Sequence, residues 1–145
     1  MLLYLDCCCL NRPYDDLSQM RVRLEAEAVE WILEESRSGR FEIVTSDYLI
    51  FELGRNPDLV KRHHTLEMTR YSSLHVPASQ SLSDRALKIQ SLGMTPLDAL
   101  HIAVAEEVRC DFLVTTDDRL LKKSARQQDY LMVKLLNPVD LVAFP

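Results

Sequence analysis

The chain has 145 residues, 47% hydrophobic and 27% charged, a composition that excludes disordered and fibrous classes and allows one domain, residues 1–145, to bury a core. Seventeen basic against 22 acidic side chains leave a formal net charge of -5, which excludes a bulk electrostatic grip on nucleic acid. A polyanionic substrate would need a bound cation or a local basic patch. The opening Met-Leu-Leu-Tyr-Leu-Asp lacks the basic region of a signal peptide, and no apolar run approaches the ~20 residues that span a bilayer, so no membrane association is expected. Cys7, Cys8, Cys9 and Cys110 form no disulfide framework; adjacent cysteines fit a reducing, cytoplasmic compartment.

Leu2 to Leu5 is the first strand-like run, ending at Asp6. A helical pattern covers Gln19 to Arg37, its apolar stripe drawn by Leu24, Ala28, Val29, Ile32 and Leu33, with Gly39 as the stop. Phe41 to Thr45 reads as a strand, and a helix opens at Ser46 and closes near Gly54, with Asn56-Pro57 beyond it. Leu59 to Tyr71 is polar with helical character, and Leu74 to Val76 is a short strand before Pro77. Leu82 to Leu92 predicts a helix ending at Gly93. Thr95-Pro96-Leu97-Asp98 opens another, with Leu97, Leu100, Val104 and Val108 on one stripe. Phe112 to Thr115 is strand, Asp118 to Arg126 helix, and Tyr130 to Leu136 a last strand before Asn137-Pro138. The alternation predicts an α/β fold with three layers: a parallel sheet of about four or five strands flanked by helices.

In open α/β sheets ligands bind beyond the carboxyl ends of the strands. Asp6 and Asp117 fall at such ends, and Glu52 and Asp98 lie on helices beside that rim. Four carboxylates in one crevice repel one another and acquire raised pKa values, and a divalent cation with oxygen ligands, Mg²⁺ or Mn²⁺, resolves the conflict. Each residue also has a plainer reading. Asp98 completes a capping box with Thr95, and Asp117 caps the helix that follows it. Glu52 is harder to explain that way, because an anion near a helix C-terminus opposes the helix dipole. Asp6, between Leu2-Leu3-Tyr4-Leu5 and the cysteines, would be a costly buried charge unless paired or metal-bound. His101, one turn after Asp98, is either structural or a hydrogen-bond donor behind a ligating carboxylate. The cysteines lack the spacing of a zinc site, since neighbours on a strand face opposite ways, and read as small buried hydrophobes. The basic stretch Lys61-Arg62-His63-His64 and the group Lys122, Lys123 and Arg126 read as solvated faces that could also steer a phosphate backbone.

These same positions carry a family resemblance along nearly the whole chain. Tyr4-Leu5-Asp6 with Leu10-Asn11, Glu52 in Phe-Glu-Leu, Asp98-Ala99-Leu100-His101-Ile102-Ala103, and Leu113-Val114-Thr115-Thr116-Asp117 resemble the four acidic motifs of the PIN-domain family, its VapC-type toxin ribonucleases in particular. The Asn137-Pro138 ending is also similar. The resemblance implies a PIN-like domain and a Mg²⁺- or Mn²⁺-dependent endoribonuclease. Asp6, Glu52, Asp98 and Asp117 would be its metal-binding and catalytic residues, and Thr115, Asn11 and His101 would support the site or touch substrate. It further implies RNA as substrate, products with a 5′-phosphate and a 3′-hydroxyl, and a toxin–antitoxin setting with a small antitoxin protein as partner. A homodimer is an equal expectation. Cys7 stands where the family commonly has Thr or Ser, and Thr116 where it often has Asn; both departures bear on rate and specificity more than on metal binding. Two alternatives stand beside this reading: a non-catalytic PIN-like module that binds RNA or protein, and a phosphotransfer enzyme with Asp6 as nucleophile. The cysteines after Asp6 count against the latter.

Overall fold

The apolar runs become the strands of one sheet. A computed structural model describes residues 1–144. β1 (Leu2–Leu5), β2 (Glu42–Ser46), β3 (Leu74–Val76), β4 (Phe112–Val114) and β5 (Lys134–Leu136) lie in the order β3-β2-β1-β4-β5. Every neighbouring pair is parallel, with Leu3 of β1 opposite Ile43 on one side and Phe112 on the other. Strands buried on both faces must be apolar throughout rather than alternating, and Leu3, Tyr4, Leu5, Val44, Leu113 and Val114 are all buried to about the last few per cent.

The helices are α1 (Cys7–Asn11), α2 (Met20–Arg37), α3 (Asp47–Gly54), α4 (Leu59–Met68), α5 (Gln80–Gln90), α6 (Pro96–Glu107), α7 (Asp118–Arg126) and α8 (Pro138–Val142), with 3₁₀ turns at Arg12–Tyr14 and Thr69–Tyr71. From β1 the chain moves outward through β2 to β3, then returns across the sheet to β4 and β5. Right-handed crossovers therefore lay α1 to α4 over one face and α5 to α7 over the other, which is the three-layer architecture read from the sequence. The direction of winding reverses between β1 and β4. That reversal opens a crevice at the carboxyl ends of these two strands.

Local departures from the sequence reading have identifiable causes. In α2, Val22, Ala26, Val29, Ile32 and Leu33 point inward, whereas Leu24 is 48% exposed and Glu25 takes the buried place. Glu25 is tolerated there because Arg12 Nε donates to it at 3.3 Å and Arg21 Nε, one turn earlier on the same helix, at 2.6 Å; the Arg12 pairing is one that helical periodicity does not reveal. α6 is not striped: Ala99, Ile102, Ala103, Val104 and Ala105 are all buried, while Leu97, Leu100 and Val108 are only partly so. The helix is enclosed on most sides, and its small residues allow that close approach. The last strand begins at Lys134 rather than Tyr130, because Tyr130 and Leu131 donate back to the Gln127 carbonyl at 3.0 and 3.2 Å. The cysteine triplet is helical rather than extended: Cys9 is buried, Cys7 half-buried and Cys8 exposed. Among the described residues no helix is long and apolar enough to cross a membrane.

Candidate active site

Asp6 leaves β1 at the reversal point. Its N–H donates to Val114 O at 3.2 Å, extending the β1–β4 ladder, and its Oδ1 then accepts from Cys9 N at 3.0 Å to cap α1. The side chain is 4% exposed. Burial pushes its carboxyl up to about 6; hydrogen bonds from the Thr115 hydroxyl and Cys9 N–H oppose the rise, and the charge of Asp98 adds to it.

Asp117 follows β4 across the crevice and caps α7, its Oδ1 accepting from Arg119 N at 2.9 Å and Leu120 N at 3.2 Å. The capping role suggested by the sequence is therefore real, but it engages one carboxylate oxygen and leaves the other without a protein donor among the described residues. Thr115 joins the two strand ends. Fully buried, its Oγ1 accepts from Asp117 N–H at 3.1 Å, and its hydroxyl is near enough to Asp6 to hold that carboxyl lower than burial alone would.

Asp98 lies in the first turn of α6, its N–H bonded to Thr95 Oγ1 at 3.2 Å. Burial raises its carboxyl, the Thr95 hydroxyl opposes this, and the charges of Asp117 and Glu52 raise it further. Asp98 is thus the electrostatic link between all four acids. Glu52, on α3, accepts from His101 Nε2 at 2.9 Å through Oε1, and the Cys7 thiol lies against it. His101 is buried on α6. Asn11 ends α1; its amide donates to Cys7 O at 3.0 Å and Cys7 Sγ at 3.2 Å and accepts from Asn56 Nδ2 at 3.3 Å. A cleft beside them is lined by Cys7, Asn11, Glu52, Arg55, Asn56 and Leu97.

Four carboxylates around one rim, two of them with raised pKa values, form an oxygen-donor set suited to a hard divalent cation. Among the described residues no three His, Cys, Asp or Glu side chains close around a single point. An open fan of this kind fits a cation that keeps several of its waters and takes only one or two carboxylates directly, as Mg²⁺ does. It does not fit a dedicated all-protein cage. Of the basic groups flagged in the sequence, Lys123 is tied to Gly93 O at 2.9 Å, and His64 stacks on Tyr14 with ring centroids 5.2 Å apart.

The sequence reading passed over Tyr4, Ser46 and Asn56. Tyr4 looked like one more core residue of β1; the available signal was an aromatic hydroxyl in an otherwise aliphatic strand, two residues before Asp6.

The fold is a parallel α/β domain whose acids gather where the winding reverses, with Cys7-Cys8-Cys9 rather than a glycine-rich turn after β1. The PIN domain family model matches residues 20–126, and the chain belongs to the PIN-domain family. No curated protein matches the sequence closely enough to count as a relative. Among solved structures, PAE2754 from Pyrobaculum aerophilum is similar at 21% identity and a TM-score of 0.57, covering 99% of this chain and 96% of that one. VapBC2 from Rickettsia felis, solved bound to a DNA fragment from its promoter, is similar at 12% identity and a TM-score of 0.55, covering 94% and 98%. At these identities the likeness supports the fold.

Proposed function

We propose that this protein is a Mg²⁺- or Mn²⁺-dependent endoribonuclease, the toxin component of a toxin–antitoxin pair, with Asp6, Glu52, Asp98 and Asp117 as its metal-binding and catalytic residues. The observation that carries this reading is Asp6: a carboxylate 4% exposed at the reversal point, with no cation paired to it and within the field of Asp98. These four carboxylates would hold the divalent cation, which when bound would supply charge to neutralise the scissile phosphate and to activate water. Thr115 and the Cys9 N–H hold Asp6 in place, the first turn of α7 holds Asp117, and His101 holds Glu52. Nε2 of His101 is occupied by Glu52 and its ring is buried, so it is placed to orient rather than to take a proton from water. Attack by water on phosphorus would break the P–O3′ bond and leave a 5′-phosphate and a 3′-hydroxyl. Family membership and the likeness to VapBC2 support a small antitoxin protein as partner. RNA as the substrate, a homodimer and a cytoplasmic location rest on the resemblance and composition given above.

The second reading is a non-catalytic module that binds RNA or protein, in which the open spacing of the carboxylates would hold no cation at all. Incubating the protein with labelled single-stranded RNA in EDTA, Mg²⁺ or Mn²⁺, beside Asp6→Asn, separates the two. Cleavage that needs metal and vanishes in the variant supports the nuclease. No cleavage of varied RNAs, together with no calorimetric metal binding, supports the module.

A further inference from the structure

The polar chain behind Glu52 runs deeper than His101. Ser46, Tyr4 and His101 are buried, at 0%, 0% and 2% exposure. Ser46 Oγ accepts from Leu49 N at 3.1 Å and lies 2.8 Å from Tyr4 Oη, which in turn lies 2.6 Å from His101 Nδ1. On the far side of the ring, Nε2 meets Glu52 Oε1 at 2.9 Å.

Proton counting fixes the direction of this chain. A carboxylate only accepts, so Nε2 must carry a hydrogen. If Nδ1 carried one too, the Tyr4 proton would turn to Ser46 Oγ. The Ser46 proton would then have no acceptor among the described residues, an orphan in a fully buried place. With a neutral ring every proton has a partner: Ser46 donates to Tyr4, Tyr4 to Nδ1, and Nε2–H to Glu52. Tyr4 and Asp6 are two residues apart on an extended backbone and so face the same side of the sheet. One strand therefore bears both an acid of the site and the hydroxyl that stands behind another.

We propose that Tyr4 is a positioning residue whose hydroxyl, backed by Ser46, holds the His101 ring as the Nε2–H tautomer and thereby fixes the Glu52 carboxylate toward the cation site. This rests on the reading of Glu52 as a metal-binding residue. It also accounts for an acid near the C-terminal end of α3, where the helix dipole disfavours it: the N–H of His101 supplies the partner the helix cannot.

The test is nitrogen-resolved NMR of the His101 ring in the metal-free protein at neutral pH, joined to calorimetry with Mn²⁺ alone. The wild type is expected to show a single ring species with hydrogen on Nε2 and Nδ1 accepting from Tyr4. Tyr4→Phe is expected to release that tautomer and to weaken Mn²⁺ binding on the order of tenfold, the usual scale for a group that orients a ligand from behind. His101→Gln, which returns an N–H near the place of Nε2, is expected to bind Mn²⁺ within about threefold of wild type, whereas His101→Leu loses about tenfold or more. A ring with hydrogen on Nδ1 and none on Nε2 in the wild type overturns the proposal, as does a Tyr4→Phe protein with unchanged tautomer and affinity. The wild-type spectrum and His101→Gln decide the matter even where Tyr4→Phe fails to fold. A protein with the predicted tautomer that binds no Mn²⁺ and cleaves no RNA refutes the nuclease reading instead, and with it the purpose assigned to the ring.

Discussion

Two carboxylates in this molecule are almost equally buried and are treated in opposite ways. Glu25, on the inner face of α2, is met by the guanidinium groups of Arg12 and Arg21, and Arg21 also makes a bidentate pair with Asp118, both bonds at 2.6 Å. Glu106 is similarly held by Arg85 at 2.7 Å. Asp6, at the reversal point of the sheet, accepts the Cys9 N–H, has the Thr115 hydroxyl near it, and forms no ion pair among the described residues. A buried charge is costly unless paired, so the fold neutralises the acids that serve its architecture and leaves this one short of a partner. On the function proposed above, the difference separates a structural carboxylate from one that would take an external cation.

The comparison can be broken most forcefully from the Glu25 side. Replacing Arg12 and Arg21 together by leucine leaves Glu25 buried without a counter-charge, and a loss of about 3–5 kcal/mol is expected in urea unfolding. At Asp6 the sign reverses. Its folded carboxyl, at about 6, titrates above the ordinary value of 3.8. Between those values the folded state holds more protons than the unfolded chain, so stability falls as pH rises through that window. Above about pH 6 the metal-free protein carries a penalty of about 3 kcal/mol. Asp6→Asn in EDTA should therefore be more stable than wild type at pH 8 by up to that amount, with the advantage gone below about pH 4. Equal unfolding curves at pH 8 would show that Asp6 is already compensated.

A cation should remove the same penalty. Mn²⁺ at a hundred times its dissociation constant stabilises a protein by about 2.7 kcal/mol, and thermal unfolding should show that gain in wild type and lose most of it in Asp6→Asn. The smallest effect is expected at Thr115→Val. The valine leaves the Asp117 N–H without its acceptor and removes a donor from Asp6, for about 1 kcal/mol of stability. The titration of Asp6, followed by carboxyl carbon shifts, should move upward at the same time. A downward shift would contradict the bridging role of Thr115.

Much of the frame was legible in the sequence. Apolar runs that lack alternation mark strands covered on both faces, and Asp6 and Asp117 stand directly after two of them, which is enough to place them at strand ends. What escaped depends on contacts between distant segments. Arg21, four residues earlier, reads as an ordinary surface partner for Glu25, and the second partner that lets it be buried, Arg12, comes from another element. The exposure of Leu24 follows from that same substitution of faces. Tyr4 is indistinguishable in sequence from a core aromatic until Ser46 and His101 are brought to its hydroxyl. The cysteines misled by their apolar character: with Asp6 as cap they continue as a helix, and Cys8 turns outward.

The central position of β1 has a consequence for how the protein is made. Its first neighbour, β2, follows about forty residues later, but its second, β4, pairs Leu3 with Phe112. Contacts of such long sequence separation form late and slowly. During synthesis, a chain that has not yet reached Phe112 cannot seal β1 on both sides, nor set Asp117 beside Asp6. The candidate site is therefore absent from any nascent chain that has not yet passed Asp98 and Asp117.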